Sequence, residues 1–273
     1  MFIKIADVDI QPAWAHHSWT KIYNWPDKAE TLVVVPLHGF ADWGLGLGLD
    51  VEETIGSAVL NEATGVAGLG TRLLVAPPLR FLPQPFANAA FSLDFETAYD
   101  LVESVLESIR LTGFKKVILF NTGPYTEAFT DVMGRDMRIR HGLQMFCVNL
   151  GGLGLDLHPA RPGAASPAGR AEDGSVLLSA REQARLLAVH LLGEPTIETA
   201  VPIPNDASEP GVPQQCAPLP GTVSLAQAAA TAPAILAAAA ARLARLLHEI
   251  AARAPLPNDG AITFKTGYTP PSP

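Results

Sequence analysis

The stretch T-L-V-V-V-P-L-H-G-F-A-D-W-G-L-G-L-G-L-D, residues 31–50, begins as an unbroken apolar run and ends as a glycine-rich loop. A strand with one wet face alternates apolar and polar residues, whereas a strand covered on both faces does not need to. Residues 31–37 therefore read as a buried strand of a parallel sheet. Runs of the same kind occur at 72–76, 116–120 and 143–150.

Helical patterns fill the spaces between these runs. The clearest spans 95–111, where Ala98, Leu101, Val102, Val105, Leu106 and Ile109 share one apolar face. Asp94 can cap its first turn, and Gly113 can take the left-handed conformation just beyond its last. Further helices are expected at 51–62, 125–138 and 180–192. Strands alternating with helices predict an α/β protein with three layers, helix, mainly parallel sheet and helix.

Composition agrees with one compact unit. Of 273 residues, 48% are apolar and 17% charged, which suits a globular chain. A single domain over 1–263 with a tail at 264–273, ending T-P-P-S-P, is expected. Segments 159–174 and 201–221 are rich in proline and small residues and read as loops. A long alanine-rich helix at about 224–253 follows, with Ser224 as its cap and Pro233 inside it.

The formal net charge of −8 argues against nucleic acid, because the 19 lysines and arginines are dispersed. Arg135, Arg138 and Arg140 read as a solvated helix face. Cys147 and Cys216 form no C-x-x-C pattern, so no zinc knuckle or disulfide framework is expected, and Cys147 reads as a buried, inert thiol. The N-terminal M-F-I-K-I-A-D-V-D-I has acids where an export signal needs apolar residues, which predicts a cytoplasmic protein. Segment 225–247 is apolar, but Gln227, Pro233, Arg242 and Arg245 interrupt it, so a packed helix is expected there and no membrane span.

In an open parallel sheet, ligands bind beyond the carboxyl ends of the strands. The loops to read follow residues 37, 76, 120 and 150. Gly44, Gly46 and Gly48 are spaced G-x-G-x-G and follow a long turn, unlike the G-x-G-x-x-G of a dinucleotide fold. No cofactor is expected.

The order of these loops resembles the creatininase (creatinine amidohydrolase) family. Its first strand leads into P-x-G-S-x-E-x-H-G-x-H-L-P-x-x-x-D. With Pro36 on the first proline, Gly44 and Leu47 fall on the family's G and L. The segment A-P-P-L-R-F-L-P-Q-P-F-A-N-A-A-F-S-L-D-F-E-T, residues 76–97, is similar to the family's strand, loop and F-P-G-T-x-S-L-x-x-E-T helix start. Then G-F-K-K-V-I-L-F-N-T-G, residues 113–123, is similar to the G-F-x-x-I-x-x-x-N-G-H strand and asparagine turn. These matches cover about half the chain, and the carboxyl-terminal half matches weakly.

The resemblance implies a dimetal amidohydrolase, often assembled as a homo-oligomer, but the ligand positions depart from the family. The first metal-binding Glu falls on Ala41, the next His on Trp43, the bridging Asp on Glu52, the turn's His on Gly123 and the residue two beyond it on Tyr125. A further His falls on Gln84, and the H-A-G-E segment has only 168–173 as its nearest stretch. A zinc site needs three or four N, O or S ligands at about 2.0–2.3 Å. No metal is therefore expected in the inherited site.

Proton transfer is the chemistry left to such a pocket. His38 reads as acid or base, with Asp42 or Glu52 setting its protonation. Tyr125 or Asn121 could bind a carbonyl oxygen, and Phe40 and Trp43 could form a wall. The catalytic candidates are thus His38, Asp42, Glu52 and Tyr125. The substrate-binding candidates are Phe40, Trp43, Gln84, Asn88, Asn121 and Thr122.

Three functions remain open. The chain could act without metal on a small cyclic or amide-containing metabolite, by hydrolysis, isomerisation or cyclisation in a specialised biosynthetic pathway. It could instead be a non-catalytic ligand-binding or scaffold subunit. A rebuilt metal site from His38, Asp42, Asp50, Glu52 and Glu53 is the third, against the structural role of Asp50 as a helix cap and of Glu52 and Glu53 beside the helix dipole. Ser92 and Thr122 have no evident His partner and no G-x-S-x-G elbow occurs. His16, His17, His141, His158, His190 and His248 read as surface or packing residues.

Overall fold

The computed structural model describes residues 12–83, 89, 91–158, 178–195 and 223–254. In chain order these form α1 (Trp19–Tyr23), β1 (Leu32–His38), α2 (Val51–Ala67), β2 (Leu73–Val75), β3 (Leu79–Arg80), β4 (Leu82–Pro83) and β5 (Ser92–Leu93). They continue with α3 (Phe95–Leu111), β6 (Lys116–Asn121), α4 (Glu127–His141), β7 (Gln144–Asn149), α5 (Ala180–Leu192) and α6 (Leu225–Ala251). The main sheet has the order β2-β1-β6-β7, with β3 continuing on the β2 side of β1, and every pairing is parallel. A second, two-stranded parallel pair joins β4 to β5.

All seven residues of β1 are buried, as its apolar run requires. Successive strand side chains point to opposite faces. Leu32 and Val34 accordingly join one core with α2, α5 and α6, while Val33, Val35 and Leu37 join the other with α3 and α4. In β6, Ile118 and Phe120 divide from Val117 and Leu119 in the same way. The result is the expected three-layer α/β arrangement.

Proline inside a central strand removes a ladder hydrogen bond, yet Pro36 lies in β1 opposite Phe120 of β6. The even-numbered carbonyls of β1 resolve this. Val34 O accepts from Ala76 N at 2.8 Å, and His38 O accepts from Phe81 N at 3.0 Å. Position 36 has the same parity and faces the interruption between β2 and β3, where residues 76–78 read A-P-P. The missing N–H thus falls where no ladder runs. Beyond the break, β3 resumes with His38 opposite Arg80.

The helix ends divide into expected and unexpected. Asp94 caps α3 by accepting from Thr97 N at 2.9 Å, and Gly113 takes φ 101°. Ser224 caps α6 through Gln227 N at 3.1 Å. Asp50, expected to cap α2, makes no side-chain cap bond, its backbone at φ −85° and ψ 11° lying outside the extended region an N-cap takes, while Glu52 and Glu53 stay in the first turn. Helix α2 also runs beyond residue 62 to Ala67, ending on left-handed Gly68 at φ 57°.

Helix α6 is long and apolar enough to cross a membrane by length and composition. Here it packs on α2 and α5 through Ala228, Ala232, Ala239, Ala240, Leu243 and Leu247. Cys147 is half-buried, donates to Thr130 O at 3.1 Å, and has its thiol pushed up to about 11 by burial. That fits the inert reading. The arginines expected on a solvated face are partly engaged: Arg138 donates to Met145 O, and Arg140 bridges to Tyr99 and Glu103. Cys216, the tail at 264–273 and the loops at 159–174 and 201–221 lie outside the described residues.

Candidate active site

The carboxyl ends of β1, β3, β6 and β7 lie side by side, and Glu52 at the start of α2 reaches Gly39 just beyond β1. His38, the last residue of β1, is buried. Its Nδ1 lies 2.8 Å from Thr122 Oγ1, and that hydroxyl donates to Leu37 O at 3.2 Å. With the hydroxyl proton directed to Leu37 O or to the Glu52 carboxylate, Nδ1 carries the ring proton and Nε2 offers the lone pair. Burial lowers the imidazole to about 4, with Glu53 pulling up and Arg80 pushing down. At neutral pH the ring is uncharged.

Glu52 is fully buried in the first turn of α2. Its Oε2 accepts from Gly39 N at 2.7 Å and its Oε1 from Trp43 Nε1 at 3.1 Å. Burial raises this carboxyl to about 7, opposed by the Gly39 amide, the Trp43 indole and the Thr122 hydroxyl. Thr122 thus touches both titrating groups. The carboxylate fits because two neighbours lack side chains: a Cβ on Gly123 would lie 2.8 Å from Oε2, and one on Gly39 would lie 3.0 Å from Oε1.

Glu53 and Arg80 form a paired charge beside this floor. Arg80 donates Nε and Nη2 to the two Glu53 oxygens, each at 2.7 Å. Burial pushes the Glu53 carboxyl up, but the Arg80 guanidinium outweighs it and holds the group below its ordinary range. Sequence reading missed Arg80, since only the register opposite His38 brings it here.

Aromatic rings define the outer part. Tyr125, half-buried, lies between Trp43 and His158, with ring centroids 5.2 Å away on each side. His158 takes the packing role expected of it, with its ring edge-on against Tyr125. Arg181 of α5 is buried and donates Nη2 to Trp43 O at 3.4 Å.

Several expectations for individual residues change. Asp42 does not set the protonation of His38: its Oδ1 accepts from Gly44 N at 2.8 Å, and Thr122 holds the ring instead. Trp43 is no pocket wall, being 2% exposed and part of the core. Phe40 is half-buried, with its ring edge-on to Phe91 at 5.7 Å. Asn121 does not present its amide to a ligand, because both ends bond to Gly123. Gln84, Asn88 and the stretch 168–173 lie outside the described residues.

Among the described residues, the donor set does not fit a two-metal centre. Of the positions that match the creatininase ligands, Ala41 and Gly123 offer no lone pair and the Trp43 indole is a donor only. Both Glu52 oxygens already accept hydrogen bonds. Nor do the acids of the 38–53 loop assemble a replacement: among the described residues no three His, Cys, Asp or Glu side chains group to hold an ion.

No protein-family profile and no curated protein sequence matches the chain. Solved structures do. A creatinine amidohydrolase (creatininase) superimposes with a TM-score of 0.61 at 15% identity, over 89% of this chain and 99% of that one. A protein of Bacteroides fragilis assigned as a creatinine amidohydrolase gives 0.60 at 15% identity, over 90% and 98%. A manganese creatininase gives 0.57 at 17% identity, over 89% and 100%. The mainly parallel sheet and its flanking helices thus give the chain the creatininase fold.

Proposed function

We propose that this protein is a creatininase-fold enzyme that acts without a metal ion on a small cyclic or amide-containing molecule. Hydrolysis, isomerisation or cyclisation in a specialised biosynthetic pathway are the reactions within its reach. The observation that carries the reading is the hydrogen-bonded set His38–Thr122–Glu52 at the carboxyl edge of the sheet. A base kept neutral and an acid that holds its proton near neutral pH are the two groups that general acid–base chemistry needs. In this reading Glu52 gives a proton to the amide or carbonyl of the ligand, and Nε2 of His38 takes one. Tyr125 and Phe40 lie against the ligand's faces, and Asp42 stands at the entrance.

A second reading has one observation in its favour. His38, Trp43 and Thr122 are each 2% exposed and Glu52 is 0% exposed. A floor so closed also suits a non-catalytic subunit whose former site has become packing. A soluble, cytoplasmic homo-oligomer is part of either proposal.

The test begins with metal analysis of the purified protein, followed by thermal-shift titration with creatinine, hydantoin and 2-pyrrolidinone. Zinc and manganese far below one ion per chain, an unchanged Tm in EDTA and a rise in Tm with at least one cyclic amide are expected. Glu52→Gln should then retain binding while turnover of that compound falls at least 100-fold. A stoichiometric ion whose removal abolishes activity would overturn the proposal. Stable binding with no turnover of any amide would favour the non-catalytic reading.

A further inference from the structure

Asn121 and Asn149 end β6 and β7 as direct register partners. Their amide orientations follow from what their neighbours can do. A backbone N–H only donates and a carbonyl only accepts. Gly123 N donates to Asn121 Oδ1 at 3.1 Å, and Asn121 Nδ2 donates to Gly123 O at 2.8 Å. The remaining hydrogen on that nitrogen goes to Asn149 Oδ1 at 3.0 Å. Asn121 cannot flip without losing all three bonds.

The orientation of Asn149 is thereby fixed as well. Its oxygen faces Asn121, so its Nδ2 faces away, and among the described residues this NH₂ has no acceptor. Two ordinary structural uses of the residue are absent. Asn149 stands at the N-cap of the short 3-10 turn Leu150–Leu153, yet makes no side-chain cap bond. It is also half-buried, and no described side chain or backbone group takes its NH₂. It sits on the edge where parallel sheets bind ligands, joined through Asn121 to Gly123, the glycine that leaves room for Glu52.

We propose that Asn149 is a specificity-determining residue whose Nδ2 donates to a carbonyl or carboxylate oxygen of the bound small molecule, with Asn121 as the positioning residue that fixes its direction. This rests on the reading above that the carboxyl edge takes a cyclic or amide-containing molecule. The site thus selects ligands with an oxygen acceptor at that end. A ring lacking one leaves the NH₂ unpaired.

Asn149→Asp separates this role from a structural one. The aspartate keeps an oxygen for Asn121 Nδ2 but replaces the NH₂ by a second acceptor. The side-chain amide resonances of ¹⁵N-labelled protein, with that of Asn149 identified by its loss in N149D, are followed during titration with 2-pyrrolidinone. The Asn149 NH₂ signal is expected to shift saturably, and N149D to bind the lactam at least tenfold more weakly, with an unchanged Asn121 signal. Saturable shifts elsewhere that spare Asn149, or undiminished binding by N149D, would overturn this proposal and leave the cyclic-amide reading standing. A titration that moves no resonance with 2-pyrrolidinone, creatinine or hydantoin would remove both.

Discussion

The indole nitrogen of Trp43 donates to Oε1 of Glu52 at 3.1 Å, with both side chains buried. Trp43→Phe keeps an aromatic ring and deletes the donor, leaving one carboxylate oxygen without its partner. Leaving such a group unsatisfied costs about 1–3 kcal/mol. Because Glu52 ionises at about 7, the loss is expected to be larger at pH 8 than at pH 5, where the carboxyl is protonated. Urea denaturation at the two pH values measures it. An equal loss at both would mean that the indole acts by packing alone.

His38 and Glu52 shift in opposite directions, and their effects on stability oppose each other. The imidazole falls from 6.5 to about 4, so in that window the unfolded chain binds the extra proton and stability rises with pH. The carboxyl rises from 4.5 to about 7, so in its window the folded chain binds the extra proton and stability falls as pH rises. Each alone amounts to about 3 kcal/mol across its window. Between pH 4.5 and 6.5 they cancel, since folding in effect moves a proton from His38 to Glu52. Glu52→Gln is expected to unmask a rise in stability from pH 4 to 6.5, and His38→Gln a fall from pH 4.5 to 7. Denaturation curves of all three proteins with the same pH slope would contradict the pairing.

Gly56 and Gly65 lie on the same helix and should respond oppositely to alanine. A Cβ on Gly56 would fall 2.5 Å from Thr122 Cγ2 and 2.8 Å from His38 Cε1, whereas at Gly65 nothing lies within 4 Å. Replacing glycine by alanine in an exposed helix gains about 1 kcal/mol, and overpacking costs about 1–3 kcal/mol. Gly65→Ala should therefore raise stability by about 1 kcal/mol. Gly56→Ala should lower it, displace the His38 ring, and move its NMR titration. Matching gains in both variants would show that α2 does not press on the site.

Lys116 opens β6 with its side chain fully buried, and its ammonium donates to Glu30 at 2.8 Å and to the carbonyls of Ala251 and Arg253 at the end of α6. This is a cation placed on the negative end of a helix. Lys116→Met fills the space but leaves those carbonyls without a donor. A loss of about 2 kcal/mol is expected from the charged hydrogen bonds, with faster amide exchange in the last turn of α6. Unchanged exchange there would show that the packing of α6 on α2 and α5 suffices.

Much of the fold was legible because burial on both faces leaves a local mark. The apolar run at 31–37, the face of α3 and the Asp94 cap each depend on neighbours a few residues away. Partners brought together by the fold leave no such mark. Gly39 and Trp43 take Glu52, and Arg80 takes Glu53, across the sheet edge. The same distance hid Arg80 and Asn149.

The residues alone determined the layered α/β order and the donor types at the carboxyl edge, because covalent order and side-chain chemistry are present before folding. What the carboxylates, the histidine and the amides do was decided only by register and packing. The proline break sets Arg80 opposite His38, two glycines make room for Glu52, and a backbone turn orients Asn121. Ionisation and hydrogen-bond direction respond to surroundings within a few ångströms, and those surroundings come from segments distant along the chain.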